Sequence, residues 1–219
     1  MHTSLRATGR LLGAGLRALL LLTVVCGVLY PLAVTGVAQA AFPHRANGSE
    51  ITSDGKVVGS SLIGQTYRTK DGKPDLRWFQ PRPSNGLGTN SVNTQYTLIL
   101  SGATNLSGAN PDLIKQIKDA RAAVIADNST STYKVRAAQI PPDAVTSSGS
   151  GLDPHISPAY ARLQTHRVAD RNHLPVARVR ALVEQHTEGR VLGFMGEPGV
   201  NVLELNVALR ELTTADRAS

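Results

Sequence analysis

Asp153 and His155 stand two residues apart in the stretch 147–158, SSGSGLDPHISP, where Gly149 and Gly151 loosen the backbone and Pro154 and Pro158 then fix it. A carboxylate and an imidazole held this way could face a cation or a partner. The competing reading is a Ser/Gly loop in which Asp153-Pro154 makes a turn and Ser157 caps the next helix. Arg82, in Arg82-Pro83-Ser84-Asn85, is a second residue that could be presented to a partner, although a proline-flanked arginine is more often a solvated loop residue. Ser150, between the two glycines, completes the set of partner-contact candidates.

Chemistry of the usual catalytic kinds has no anchor. Neither Gly55-Lys56-Val57 nor Gly72-Lys73-Pro74 completes a G-x-x-x-x-G-K-[ST] phosphate cradle. There is no G-x-S-x-G elbow, no H-E-x-x-H, and no T-V-G-Y-G filter, and the six histidines are scattered. The single cysteine, Cys26, lies in an apolar run, which excludes a disulfide framework and a cysteine-based zinc site.

The elements that would carry these side chains begin with a span. Residues 18–38, ALLLLTVVCGVLYPLAVTGVA, carry no charge. As a helix rising ~1.5 Å per residue they cover roughly the 30 Å hydrocarbon core. Arg6, Arg10 and Arg17 precede them and the first acid is Glu50, so the positive-inside tendency keeps residues 1–17 cytoplasmic and exports the chain beyond the span. A cleaved signal peptide is the alternative, with Ala38, Gln39 and Ala40 as an A-x-A-like site that would release a secreted enzyme or binding module. The length of the apolar run and Pro31 in its second half favour a retained span.

The whole chain of 219 residues has 23 Lys and Arg against 16 Asp and Glu, a formal charge of +7. Setting aside the three leading arginines leaves 20 against 16, or +4, which is too mild and dispersed for a nucleic-acid binder. Residues 39–55 read as an exit linker, 56–212 as one exported domain, and 213–219 as a tail. Within the domain, 56–67 and 76–80 read as short strands. Asn110-Pro111 caps a helix reaching Asn128, Ser157-Pro158 caps one to about Asp170, and a third starts near Pro175. Leu203, Leu205, Val207 and Leu209 alternate as in a strand, but Asn201 with Glu204 resembles a capping box and favours a helix. Strands early and helices late give an α+β class rather than a βαβ alternation.

These stretches, in this order, resemble the C-subunit family of the bacterial Kdp potassium-transporting P-type ATPase. The resemblance runs from Tyr30-Pro31-Leu32 to Leu209. It is carried by Ala46-Asn47-Gly48-Ser49, by GSSLIGQ at 59–65, by Arg82-Pro83-Ser84, by SGSGLDPHISP at 148–158, by Arg167-Val168-Ala169 and by VNVLELN at 200–206. Arg45 stands where the family has a glutamine, and Trp78-Phe79 replaces a Tyr-Phe pair.

The resemblance implies an accessory, non-catalytic subunit. Its partners would be a potassium-conducting subunit (KdpA), an ATP-hydrolysing subunit (KdpB) and a small subunit (KdpF), within the membrane lipid. It also implies a chaperone-like effect on ATP affinity, with a nucleotide contact at Leu100, Ser101, Gly102 and Asn105; ATP would otherwise reach the chain only through the complex. The same residues read without the family are a plain Ser/Gly turn.

Overall fold

A computed structural model describes residues 2–84 and 101–218 and divides into two compact units, Met1–Ser49 and Glu50–Ser219. The first unit is helical: α1 (His2–Val24), a π-helical turn (Val25–Leu29), α2 (Tyr30–Ala41) and the short α3 (Pro43–Ala46). The stretch Ala7–Ala41 is long and apolar enough to cross a membrane, and none of its most apolar window is buried. The π turn has a local cause: Pro31 offers no N–H and its ring crowds the carbonyl four residues back, at Gly27 inside the widened turn. After α3 the chain is stopped by Gly48 (φ +86°) and Ser49 (φ +50°), whose N–H groups return to the carbonyls of Arg45 and His44.

In the second unit β1 (Glu50–Ser53) and β2 (Lys56–Ser60) form an antiparallel hairpin. Asp54 and Gly55, both at positive φ, make the turn that suits the twist of paired strands. The expected linker therefore contains the end of α2, α3 and β1. The strand expected over 56–67 stops at Ser60, because β1 offers no partner beyond Glu50.

Three helices begin where the sequence puts their caps. Asn110 Oδ1 accepts from Asp112 N–H at 2.8 Å at the start of α4 (Pro111–Asn128). Ser157 Oγ accepts from Tyr160 N–H at 3.0 Å ahead of α5 (Pro158–Asn172). Asn201 Oδ1 accepts from Leu203 and Glu204 N–H at 3.1 and 3.2 Å ahead of α7 (Val202–Ala218), which settles the ambiguous last element as helix and extends it through the expected tail. Helix α6 (Val176–Gln185) lies between α5 and α7 in sequence. A three-stranded antiparallel sheet, in the order β3 (His155–Ile156), β5 (Gly199–Asn201), β4 (Thr187–Glu188), joins them. The core packs Val168, Val179, Val183, Val200, Leu205 and Leu209, each fully buried, with Phe79; each such side chain contributes about 1.5–3 kcal/mol. The architecture is α+β, with one apolar helix ahead of it.

The expected strand at 76–80 is absent. Side chains take the place of a neighbouring strand: Phe79 N–H donates to Asn206 Oδ1 and Asn206 Nδ2 donates back to Phe79 O, both at 2.9 Å. Gln80 exchanges the same pair of bonds with Gln164, at 2.7 and 3.0 Å. Arg167 Nη1 donates to Trp78 O at 2.9 Å and also to Leu76 O. A buried backbone must find partners somewhere, and here helices α5 and α7 supply them.

Candidate functional site

This side-chain ladder delivers the chain to Pro81, which is buried, and to Arg82. Arg82 Nη1 meets Asp153 Oδ2 at 3.0 Å, Nη2 donates to Ser147 O at 3.2 Å and Nε to Thr146 O at 3.4 Å. The arginine thus clamps both ends of the Ser/Gly loop. Asp153 in turn accepts from His155 N–H at 2.9 Å through Oδ1, while His155 Nδ1 stands 3.7 Å from that oxygen, an ion-pair rather than a hydrogen-bond distance. His155 Nε2 lies 4.0 Å from Glu188 on β4. Arg82, Asp153 and His155 form one half-buried cluster, although Arg82 is remote from the other two in sequence.

The loop is seated from behind. Gly64 N–H donates to Leu152 O at 2.8 Å, and a Cβ at Gly64 would fall 2.5 Å from Asp153 O. Gly151, at φ +69°, leaves only 2.8 Å between an added Cβ and Gly102 O, so both glycines are required for the close approach. Pro154 O accepts from Val202 N–H at 3.0 Å, tying the loop to the start of α7. Ser157, beyond the loop, donates through Oγ to Asp143 Oδ1 at 2.8 Å and through its N–H to Oδ2 at 2.7 Å. Ser157→Ala removes a cap and strips one partner from Asp143. We expect a loss of about 1–2 kcal/mol, read as a lowered urea midpoint for the full chain in detergent.

The second group of candidates meets the same loop. Leu100 lies outside the described residues. Ser101 Oγ and Gly102 N–H both donate to Ser150 O, at 3.2 and 2.8 Å. Ser150 Oγ accepts from Leu152 N–H at 3.1 Å. Asn105 is exposed and at φ +52°, away from these contacts. The Gly102 amide, the natural donor for a phosphate oxygen, is thereby engaged within the protein.

Charge in the cluster is mutually supporting. The His155 imidazole, with help from Arg82, holds the Asp153 carboxyl below its ordinary range, against the effect of burial. Asp153, then Glu188 and Glu204, hold His155 above its ordinary value. A raised histidine contributes stability that is complete below about pH 6.5 and is lost as pH climbs through its folded value; a lowered aspartate contributes above its unfolded value and is lost in acid. We therefore expect the wild-type melting temperature to fall between pH 6 and pH 8 by more than that of His155→Gln. Equal slopes would contradict the pairing.

Beside the cluster opens a cleft of about 480 Å³ whose far wall is a feature absent from the sequence-based expectations. Residues 190–197 form a tight hairpin in which Val191 and Met195 exchange backbone hydrogen bonds of 2.9 Å and Leu192 and Gly193 turn at positive φ. Leu192 is 80% and Phe194 71% exposed. The signal available was four large apolar residues set among Gly189, Gly193 and Gly196, a turn too short to bury them.

Among the described residues no group of histidine, cysteine or carboxylate side chains could hold a metal ion. The cluster is a set of charges paired with one another inside the protein, Arg82 with Asp153 and Asp153 with His155.

Residues 12–211 match the family model described as KdpC: K+-transporting ATPase, c chain. A potassium-transporting ATPase KdpC subunit of Streptomyces avermitilis is 69% identical over 218 residues, covering 97% of this chain and 98% of the relative. Its counterpart in Streptomyces coelicolor is 65% identical over 218 residues, 97% of each chain. That of Kineococcus radiotolerans is 48% identical over 196 residues, 90% of this chain and 91% of the relative. With matches running through the apolar helix, the Arg82–Asp153 clamp and the last helix, the chain belongs to the KdpC family, the c chain of the K+-transporting ATPase, and takes part in potassium transport.

Proposed function

We propose that the chain is the accessory, non-catalytic subunit of the ATP-driven potassium uptake complex. In this reading it crosses the membrane once with its N-terminus in the cytoplasm. The α+β unit is held at the extracytoplasmic mouth of the potassium-conducting subunit (KdpA), in a complex with the ATP-hydrolysing (KdpB) and small (KdpF) subunits. The observation that carries it is the family match extending over the apolar helix and the α+β unit together. The orientation is supported by Arg6, Arg10 and Arg17 preceding the apolar run, with no acid before Glu50.

The family's effect on ATP affinity then becomes indirect. The unit faces away from cytoplasmic nucleotide, and Ser101 and Gly102 serve as a strut against Ser150, so influence on the hydrolytic subunit passes through the contact with the channel and the span. Coupling of this kind requires an element with two arrangements biased from both ends.

Deleting the chain should abolish high-affinity potassium uptake, and restoring it in trans should recover uptake; normal growth on scarce potassium without it would refute the role. Cysteines at Ser150 and His2, in a Cys26-free background, test the orientation. An impermeant thiol reagent added to intact cells should label position 150 and spare position 2. N-terminal sequencing of the membrane-bound protein separates this reading from release after Ala40.

A further inference from the structure

We propose that the hairpin at 190–197 is the point by which the α+β unit grips a neighbouring subunit of the complex, seating Leu192 and Phe194 in an apolar pocket bordered by cationic side chains. This rests on the subunit reading above and names the surface that reading leaves open.

Four apolar side chains of one turn, Val191, Leu192, Phe194 and Met195, are 62, 80, 71 and 48% exposed. A contiguous apolar projection of this kind on a soluble unit marks an interaction site. Phenylalanine, methionine and arginine are the residues that interfaces favour, and lysine, which they disfavour, is absent from residues 189–199. The hairpin is also preformed: backbone bonds between Val191 and Met195, a further one from Gly193 N–H to Arg190 O at 3.0 Å, and Arg190 Nη2 reaching both oxygens of Glu197 at 3.1 and 3.0 Å. Little ordering remains to oppose binding.

Charge decides between protein and lipid. A loop that enters a bilayer is normally ringed by Lys and Arg, which the anionic surface attracts. The cleft beside this hairpin is lined by Asp143, Asp153, Glu188 and Glu197 against Arg82 and His155, with Arg190 of the hairpin itself on Glu197. Glu188 and Glu197 have the more open side chains, at 64 and 82%. With Asp153 paired to Arg82 and Glu197 to Arg190, the rim keeps a modest acidic excess led by Glu188, which complements a cationic border on a protein. The connection to the apolar helix is also short, since α2 ends at Ala41 and β1 begins at Glu50 with α3 between them. A tether that short raises the local concentration of any neighbouring subunit to roughly millimolar, so a few anchoring side chains suffice.

The test places the photo-cross-linker p-benzoylphenylalanine at position 194 of the full chain in cells producing the whole complex. The expected result is an adduct in which mass spectrometry identifies another subunit of the complex, with none from the same probe at exposed Lys115 on α4. A companion chain carrying Leu192→Ser and Phe194→Ser should melt like wild type yet co-purify with the complex at least tenfold less. Adducts only with lipid, equal adducts from positions 194 and 115, or wild-type co-purification of the folded double variant would each overturn the proposal. If the subunit reading itself is at fault, the failure shows elsewhere: uptake survives deletion of the entire chain.

Discussion

Asn206→Leu is expected to lower the stability of the α+β unit by about 4 kcal/mol, because two buried backbone groups lose their partners at ~1–3 kcal/mol each and the side chain has no room to relax. Asn206 is 1% exposed and bonds both the N–H and the carbonyl of Phe79, itself fully buried. Leucine keeps the branching at Cγ and removes both functions. Water cannot substitute at a site this closed. Asn206→Asp retains an acceptor for the Phe79 N–H but loses the donor to its carbonyl, and it should fall between the two. The measurement is convenient, since Trp78 is the only tryptophan in the chain, precedes Phe79 and lies 5.8 Å from the Tyr67 ring, centroid to centroid. Its fluorescence during urea unfolding of the full chain in detergent reports the ladder directly. An unchanged midpoint for Asn206→Leu would mean that the ladder is incidental to the fold.

That ladder also marks the boundary of what the sequence discloses. Helices α4, α5 and α7 are legible because a cap is a local event: Asn110, Ser157 and Asn201 each bond an amide two or three residues on. The apolar helix is legible for the same kind of reason, since every backbone bond in it is internal. The stretch 76–80 looks like a strand because Trp78 and Phe79 suit a sheet, yet its partners are side chains 84 to 127 residues away. No local pattern encodes that. The sheet strands β3, β4 and β5, of two or three residues each, are too short for alternation to register. Of the candidate site, Asp153 and His155 were visible from their proline-fixed spacing, and Arg82 from its own proline. Their union was not, because it depends on Gly64 and Gly151 letting distant backbones touch.

Arg167 carries the second large effect. It is 2% exposed and donates to Asn128 Oδ1 at 2.9 Å, to Gln164 Oε1 at 2.5 Å, to Trp78 O at 2.9 Å and to Leu76 O. None of these acceptors is charged. Burial accordingly pushes the guanidinium down from 12.5 to about 10, with Tyr160 and Asp127 opposing the shift, which sets the cost of keeping a cation there at about 3 kcal/mol. Arg167→Met recovers that cost at similar volume but takes the donor from Asn128 Oδ1 and Leu76 O, at ~1–3 kcal/mol each, and one of two donors from Gln164 Oε1 and Trp78 O, which keep those of Gln80. The second quantity is still the larger, so a net loss of about 2 kcal/mol is expected. Arg167→Lys should rescue little, because one ammonium keeps the desolvation cost while lacking the planar fork that reaches acceptors on α4, α5 and the ladder at once. Gln164 is the sharpest secondary readout: its Oε1 accepts from both Arg167 and Gln80 N–H, so loss of the arginine loosens the segment leading to Arg82. The variant should therefore show weakened association with the rest of the complex even below its melting temperature, whereas Ser157→Ala, which leaves that segment's bonds intact, should not. Wild-type stability for Arg167→Met would show that the acceptors find other donors, and that this buried cation is a burden the fold merely tolerates.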